Sequence, residues 1–188
     1  MGILIQATAL VYNVPIALNQ AVSTRVGNEL GANQPNKAKK SSIVALSCAI
    51  FTGLIAMFLM LTMRHSWGRL FTTDKAILSL TAAAMPVVGL CELGNCPQTT
   101  ICGVLRGSTR PSLGANINLV SFYGVGLPIA VFLAFPMDLG LLGLWLGLLA
   151  AQVVCAAIMV LVLMRTDWAV QIDRAEELTG NHGARRKY

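Results

Sequence analysis

Charge is what this sequence has least of. Fourteen Lys and Arg and eight Asp and Glu make up only 12% of 188 residues, while 55% are hydrophobic and the mean hydropathy is +0.67. That supply of polar side chains is too small to cover the core of a water-soluble domain of this length, so a bilayer is the expected solvent. Histidine is nearly absent, at two residues, and no nucleophile and base pair, metal-ligand spacing or phosphate-cradling glycine loop is present. An enzyme is therefore disfavoured, and no catalytic or metal-binding residue is assigned. Aromatics are also scarce, at 6%, and none are interleaved with the basic residues as nucleic-acid binding would require. Cys48, Cys91, Cys96, Cys102 and Cys155 show no C-x-x-C spacing and fall within apolar tracts, so they read as small packing residues.

What is abundant is long apolar sequence. Five tracts reach or exceed the roughly 20 residues that cross a hydrocarbon core: about 2–24, 42–63, 76–105, 111–137 and 139–164. The predicted fold is an all-α integral membrane region over 1–164, followed by a cytoplasmic amphipathic helix and tail over 165–188. The first tract lacks a basic n-region and carries Gln6, Asn13, Asn19 and Gln20, so it reads as a span and not as a signal peptide. If the spans alternate, eleven basic residues, Arg25, Lys37 and the tail among them, share one side, leaving Arg64, Arg69 and Lys75 opposite. Excess positive charge marks the cytoplasmic face and places the C-terminus there. With five spans Met1 then lies on the other face, as expected of a piece of a longer chain. The net charge of +6 reports this topology and a basic tail near anionic lipid, with no need of nucleic acid.

Within the spans, polar residues cluster. Gln6, Asn13 and Gln20 recur every seven residues and share one helix face, while Pro15 is expected to kink that helix. Such a stripe either lines a cavity or holds neighbouring helices by hydrogen bonds. The segment "STRVGNELGANQPNKAKK" is rich in turn residues and reads as a connection. The second tract is the least polar and reads as lipid-facing or supporting. Trp67 in the loop beyond it reads as an interfacial anchor. In the fourth tract Asn116 and Tyr123 share a face and form a plausible polar wall. In the fifth, Gly143, Gly147 and Ala151 are spaced for close helix packing. Trp168, Ile172 and Ala175 among charged neighbours predict the short amphipathic helix, and "NHGARRKY" reads as disordered.

The third tract, with Pro86 and Pro97 inside it, is expected to be a tilted or broken helix. It holds the one charged residue in any span, Glu92, with Asn95 and Thr99 three and seven residues on along the same face. An intramembrane acid that gains and loses a proton can couple proton movement to a conformational change. The alternative is a structural acid kept neutral by hydrogen bonds, and no Lys or Arg within the spans is available to pair with it.

Three segments, "STRVGNELGANQPNKAKK", "CELGNCPQTTICGVLRGSTRPSLGANINLVSFYGVGLPIAV" and "GLWLGLLAAQ", together resemble the C-terminal lobe of plant multidrug and toxic compound extrusion (MATE) transporters of the DETOXIFICATION group, from Gly2 to about Thr179. The resemblance implies most of one six-helix lobe, the eighth to twelfth of twelve spans, with an N-lobe and a further helix supplied by the rest of the transporter. It implies exchange of protons, or less often sodium, for small organic solutes or xenobiotics across a membrane that the sequence does not specify. No other cofactor is implied. The family acid on the seventh helix falls outside these residues, and the family acid on the tenth aligns with Asn95, so Glu92 would act from one turn away. The expected site is Glu92 for proton coupling, with Gln6, Asn13, Asn95, Thr99, Asn116 and Tyr123 lining the cavity. The competing reading is a truncated, non-transporting membrane protein with a structural or regulatory role.

Overall fold

A computed structural model of the chain describes residues 2–179, with side chains through 174. The described residues form helices joined by short turns: α1 (Gly2–Gly31), α2 (Pro35–Met63), a 3-10 turn (Trp67–Leu70), α3 (Lys75–Gly107), α4 (Pro111–Leu119), a π-helical segment (Val120–Gly126), α5 (Leu127–Ala134), α6 (Gly140–Met164) and α7 (Trp168–Thr179). Taking α4 to α5 as one span, five helices are long and apolar enough to cross a membrane. "NHGARRKY" lies outside the described residues.

Several boundaries differ from those expected. The connection beginning at Ser23 is still helix: α1 continues through Gly27 and Asn28, and the turn occupies only Ala32 to Gln34. The stop is made by Asn33 in the left-handed region (φ 57°), with Gln34 N–H donating to Glu29 C=O at 2.9 Å and Asn33 N–H to Leu30 C=O at 3.0 Å. Pro35 then starts α2, where its missing N–H costs nothing. Arg25 Nε clamps the turn by donating to Glu29 Oε1 (3.1 Å) and Ser41 Oγ (3.0 Å). α3 is continuous through Pro86 and Pro97, so it is not broken. Its 33 residues span about 50 Å, more than a hydrocarbon core requires. Asp74 caps it, its carboxylate accepting from Ala76 N–H at 2.8 Å.

Helix α3 is the centre of the bundle, flanked by α1, α2 and α6. Two apolar clusters lie along it. One joins Val22, Val26, Ile101, Leu105 and Met159 near the α1–α2 turn; the other joins Leu4, Met85, Val88 and Trp145 at the opposite end. The polar part of α3 lies between them. α2 supports α3 with small residues, Ala49, Gly53 and Ala56, and exposes Phe51, Leu54, Ile55 and Phe58 on its far side, as a lipid-facing helix would. Gly143 and Gly147 pack against the α5 backbone at Ala134 and Ala130, where a Cβ would collide. The Trp67 indole N–H donates to Ile3 C=O at 3.0 Å and pins the loop to the start of α1. The amphipathic α7 lays Trp168 and Ile172 into the protein core, alongside Leu163.

Candidate functional site

Glu92 is 1% exposed, inside the bundle. Asn95 Nδ2 donates to its Oε2 at 3.0 Å, and Thr99 Oγ1 donates to Asn95 Oδ1 at 3.4 Å. Steps of three and four residues stack these side chains along one face of α3, forming a polar relay that leads away from the acid. Arg25 pairs with Glu29 at the α1–α2 turn, whereas no cation among the described residues pairs with Glu92.

The relay opens into a cleft of about 500 Å³ between α1, α3 and α4. Asn95, Gln98, Thr99 and Arg106 line it from α3, Tyr12 and Asn19 from α1, and Asn118 from α4. Asn19 is its keystone: its Nδ2 donates to Thr99 C=O at 2.6 Å, and its Oδ1 accepts from Arg106 Nη1 at 3.5 Å. Across the cleft Gln98 Nε2 donates to Asn118 Oδ1 at 2.7 Å, while Gln98 Oε1 is buried without a partner.

The close approach of α1 that brings Asn19 here is encoded in "GVLRG". A Cβ on Gly103 would collide with the Asn19 backbone, and one on Gly107 with the backbone of Ser23. On the other wall, Pro128 cannot donate to the carbonyl one turn back. The chain before it loosens into the π-helical segment, with Leu127 N–H reaching Phe122 C=O, and Phe122 lines the cleft. Beyond the cleft mouth, Arg110 Nη2 donates to Thr166 Oγ1 at 2.9 Å. Burial, and secondarily the nearby Arg174, lower the pKa of that guanidinium.

The structure thus brings Glu92, Asn95 and Thr99 together and places the other expected residues elsewhere. Gln6 and Asn13 are exposed on α1, and Asn13 Nδ2 turns back to Ala9 C=O at 3.1 Å. The α1 residues that do line the cleft are Thr8, Tyr12 and Asn19; the last two are also seven apart but sit one position before Asn13 and Gln20, which rotates them about 100° from that stripe. Asn116 is exposed, and Tyr123 is 67% exposed. Gln98, Arg106 and Asn118 were not expected. Gln98 and Asn118 are polar residues in apolar tracts and carried a signal; Arg106, at a helix end, read only as a topology mark.

Comparison with known proteins agrees with this architecture. The MatE family model matches residues 1–132. Protein DETOXIFICATION 48 and Protein DETOXIFICATION 49 of Arabidopsis thaliana are 63% and 59% identical to the chain, each over 95% of it but over 34% and 36% of their own lengths. The crystal structure of the eukaryotic MATE transporter AtDTX14 superposes with a TM-score of 0.89 at 29% identity, covering 94% of this chain and 40% of that one. The chain spans about a third of the length of the curated relatives it matches. With more than half of its residues under the family model and a polar cleft set in a bundle of that fold, this multi-pass membrane chain belongs to the MatE family.

Proposed function

We propose that the chain works as the C-terminal lobe of a secondary active transporter that exports small organic solutes in exchange for protons, with Glu92 as the coupling acid. The observation that carries this reading is the burial of Glu92 behind Asn95, a residue that touches both the carboxylate and the cleft. Protonation neutralises the carboxylate and weakens its charge-assisted hydrogen bond from Asn95. Asn95 and Thr99 are then free to rearrange, and the charge change at Glu92 reaches the solute site within two helical turns. Asn19, Gln98 and Asn118 line the cleft and supply amides to orient a polar solute.

In this reading the α1–α2 turn, Arg106, Arg110 and the C-terminus face the cytoplasm, because the basic residues gather at that end. The cleft is completed by an N-lobe and the helix preceding α1. The test is pH-gradient-driven efflux by a two-lobed transporter containing this chain. Glu92→Gln is expected to abolish it; unchanged efflux would overturn the proton role, and a sodium gradient that drives efflux in its place would assign the coupling to sodium.

A further inference from the structure

We propose that Cys102, Cys155 and Met159 form a binding site for a soft monovalent metal ion, Cu(I) or its analogue Ag(I), at the floor of the cleft. Cys155 and Met159 are four residues apart on α6 and share a face. Cys102 opposes them from α3, with its Sγ 3.8 Å from Met159 Sδ. Two sulfurs bound to one ion at roughly 2.3 Å, at a trigonal angle, are about 4 Å apart. A single amide ties the two thiols together: Cys155 Sγ donates to Asn118 Oδ1 at 3.1 Å, and Asn118 Nδ2 donates to Cys102 Sγ at 3.6 Å. Both cysteines are free thiols.

The donor chemistry selects the ion. Two thiols and a thioether are a wholly soft set, suited to Cu(I). Among the described residues no three of His, Cys, Asp or Glu converge, so the hard and borderline divalent ions have no comparable site. Cys155 and Met159 are fully buried, whereas Cys102 is half-buried and lines the cleft, which gives the ion a route in. Charge also balances. Binding Cu(I) displaces the two thiol protons into the cleft and leaves the three-sulfur site with a net charge of −1. Arg106, one turn beyond Cys102 on the same cleft wall, supplies the compensating positive charge. The site does not depend on proton coupling at Glu92.

The direct test is competition between the full chain in detergent and the Cu(I) chelator bathocuproine disulfonate. The chain is expected to hold one Cu(I). Cys102→Ser and Cys155→Ser should each weaken binding about a hundredfold and Met159→Leu about tenfold, with Cys48→Ser and Cys91→Ser unchanged. Failure to take Cu(I) from the chelator, or an equal loss in Cys91→Ser, would overturn the assignment. A second measurement needs no variant and so does not depend on any substitution folding. One equivalent of Ag(I) should protect Cys102 from alkylation while the exposed Cys48 still reacts, and preferential protection of Cys48 would contradict the site.

Discussion

Residue by residue, the candidate site rests on a short stretch of α3. Glu92, Asn95 and Thr99 were legible in the sequence because a carboxylate among apolar neighbours is conspicuous and helical spacing alone puts the three on one face. Their surroundings were not legible. The heptad of Gln6 and Asn13 identified a polar face of α1 but not what that face meets, and the cleft is built by the adjacent face bearing Tyr12 and Asn19. Cys102, Cys155 and Met159 are 53 and four residues apart, so no sequence spacing could relate them. In the proposed antiport, Glu92→Gln loses gradient-driven efflux, and adding Asn95→Asp should restore it to within about tenfold of the parent. An Asp at 95 would stand one turn along the same relay, and the side chain there already touches position 92 at 3.0 Å. A double variant as inactive as the single would tie coupling to position 92 itself.

At the level of elements, helix contacts are set by missing side chains. The α1–α3 crossing rests on Gly103 and Gly107, whose missing Cβ atoms leave room for the backbone at Asn19 and Ser23. Backbone atoms cannot give way as a flexible side chain can. Gly103→Ala should therefore destabilise the chain by about 1–3 kcal/mol, read as a lower midpoint of thermal unfolding in detergent. Gly31→Ala, where a Cβ would meet nothing within 4 Å, is the matched control and should not lower the midpoint. Equal midpoints for the two variants would contradict the crossing. Helix ends were the least legible part of the elements. Gly27 and Asn28 look like turn residues, yet Gly27 faces the carbonyl of Gly107 and the helix runs on to Gly31. Pro97 suggested a break, yet packing of α3 by α1, α2 and α6 holds it continuous.

For the whole molecule, two apolar clusters enclose a polar layer at middle depth, and one side of the bundle is apolar and exposed while the other opens into the cleft. The fold class and the five spans were readable from composition and length, because a bilayer demands about 20 apolar residues per crossing. The place of α7 was not: its pattern announced an apolar face, and only the structure shows Trp168 and Ile172 spending that face on the protein core. The proposed orientation predicts that an impermeant thiol label reaches a cysteine placed at His65 from outside intact cells, and one placed at Gln34 only after the membrane is opened. The reverse pattern would invert the lobe. Whether a proton on Glu92 answers to the solute can be read by counting protons released when solute binds the detergent-solubilised two-lobed transporter in weak buffer with a pH-sensitive dye. The account predicts about one proton per bound solute for the parent and none for Glu92→Gln, one carboxyl being one exchangeable proton. Equal release from both would contradict it.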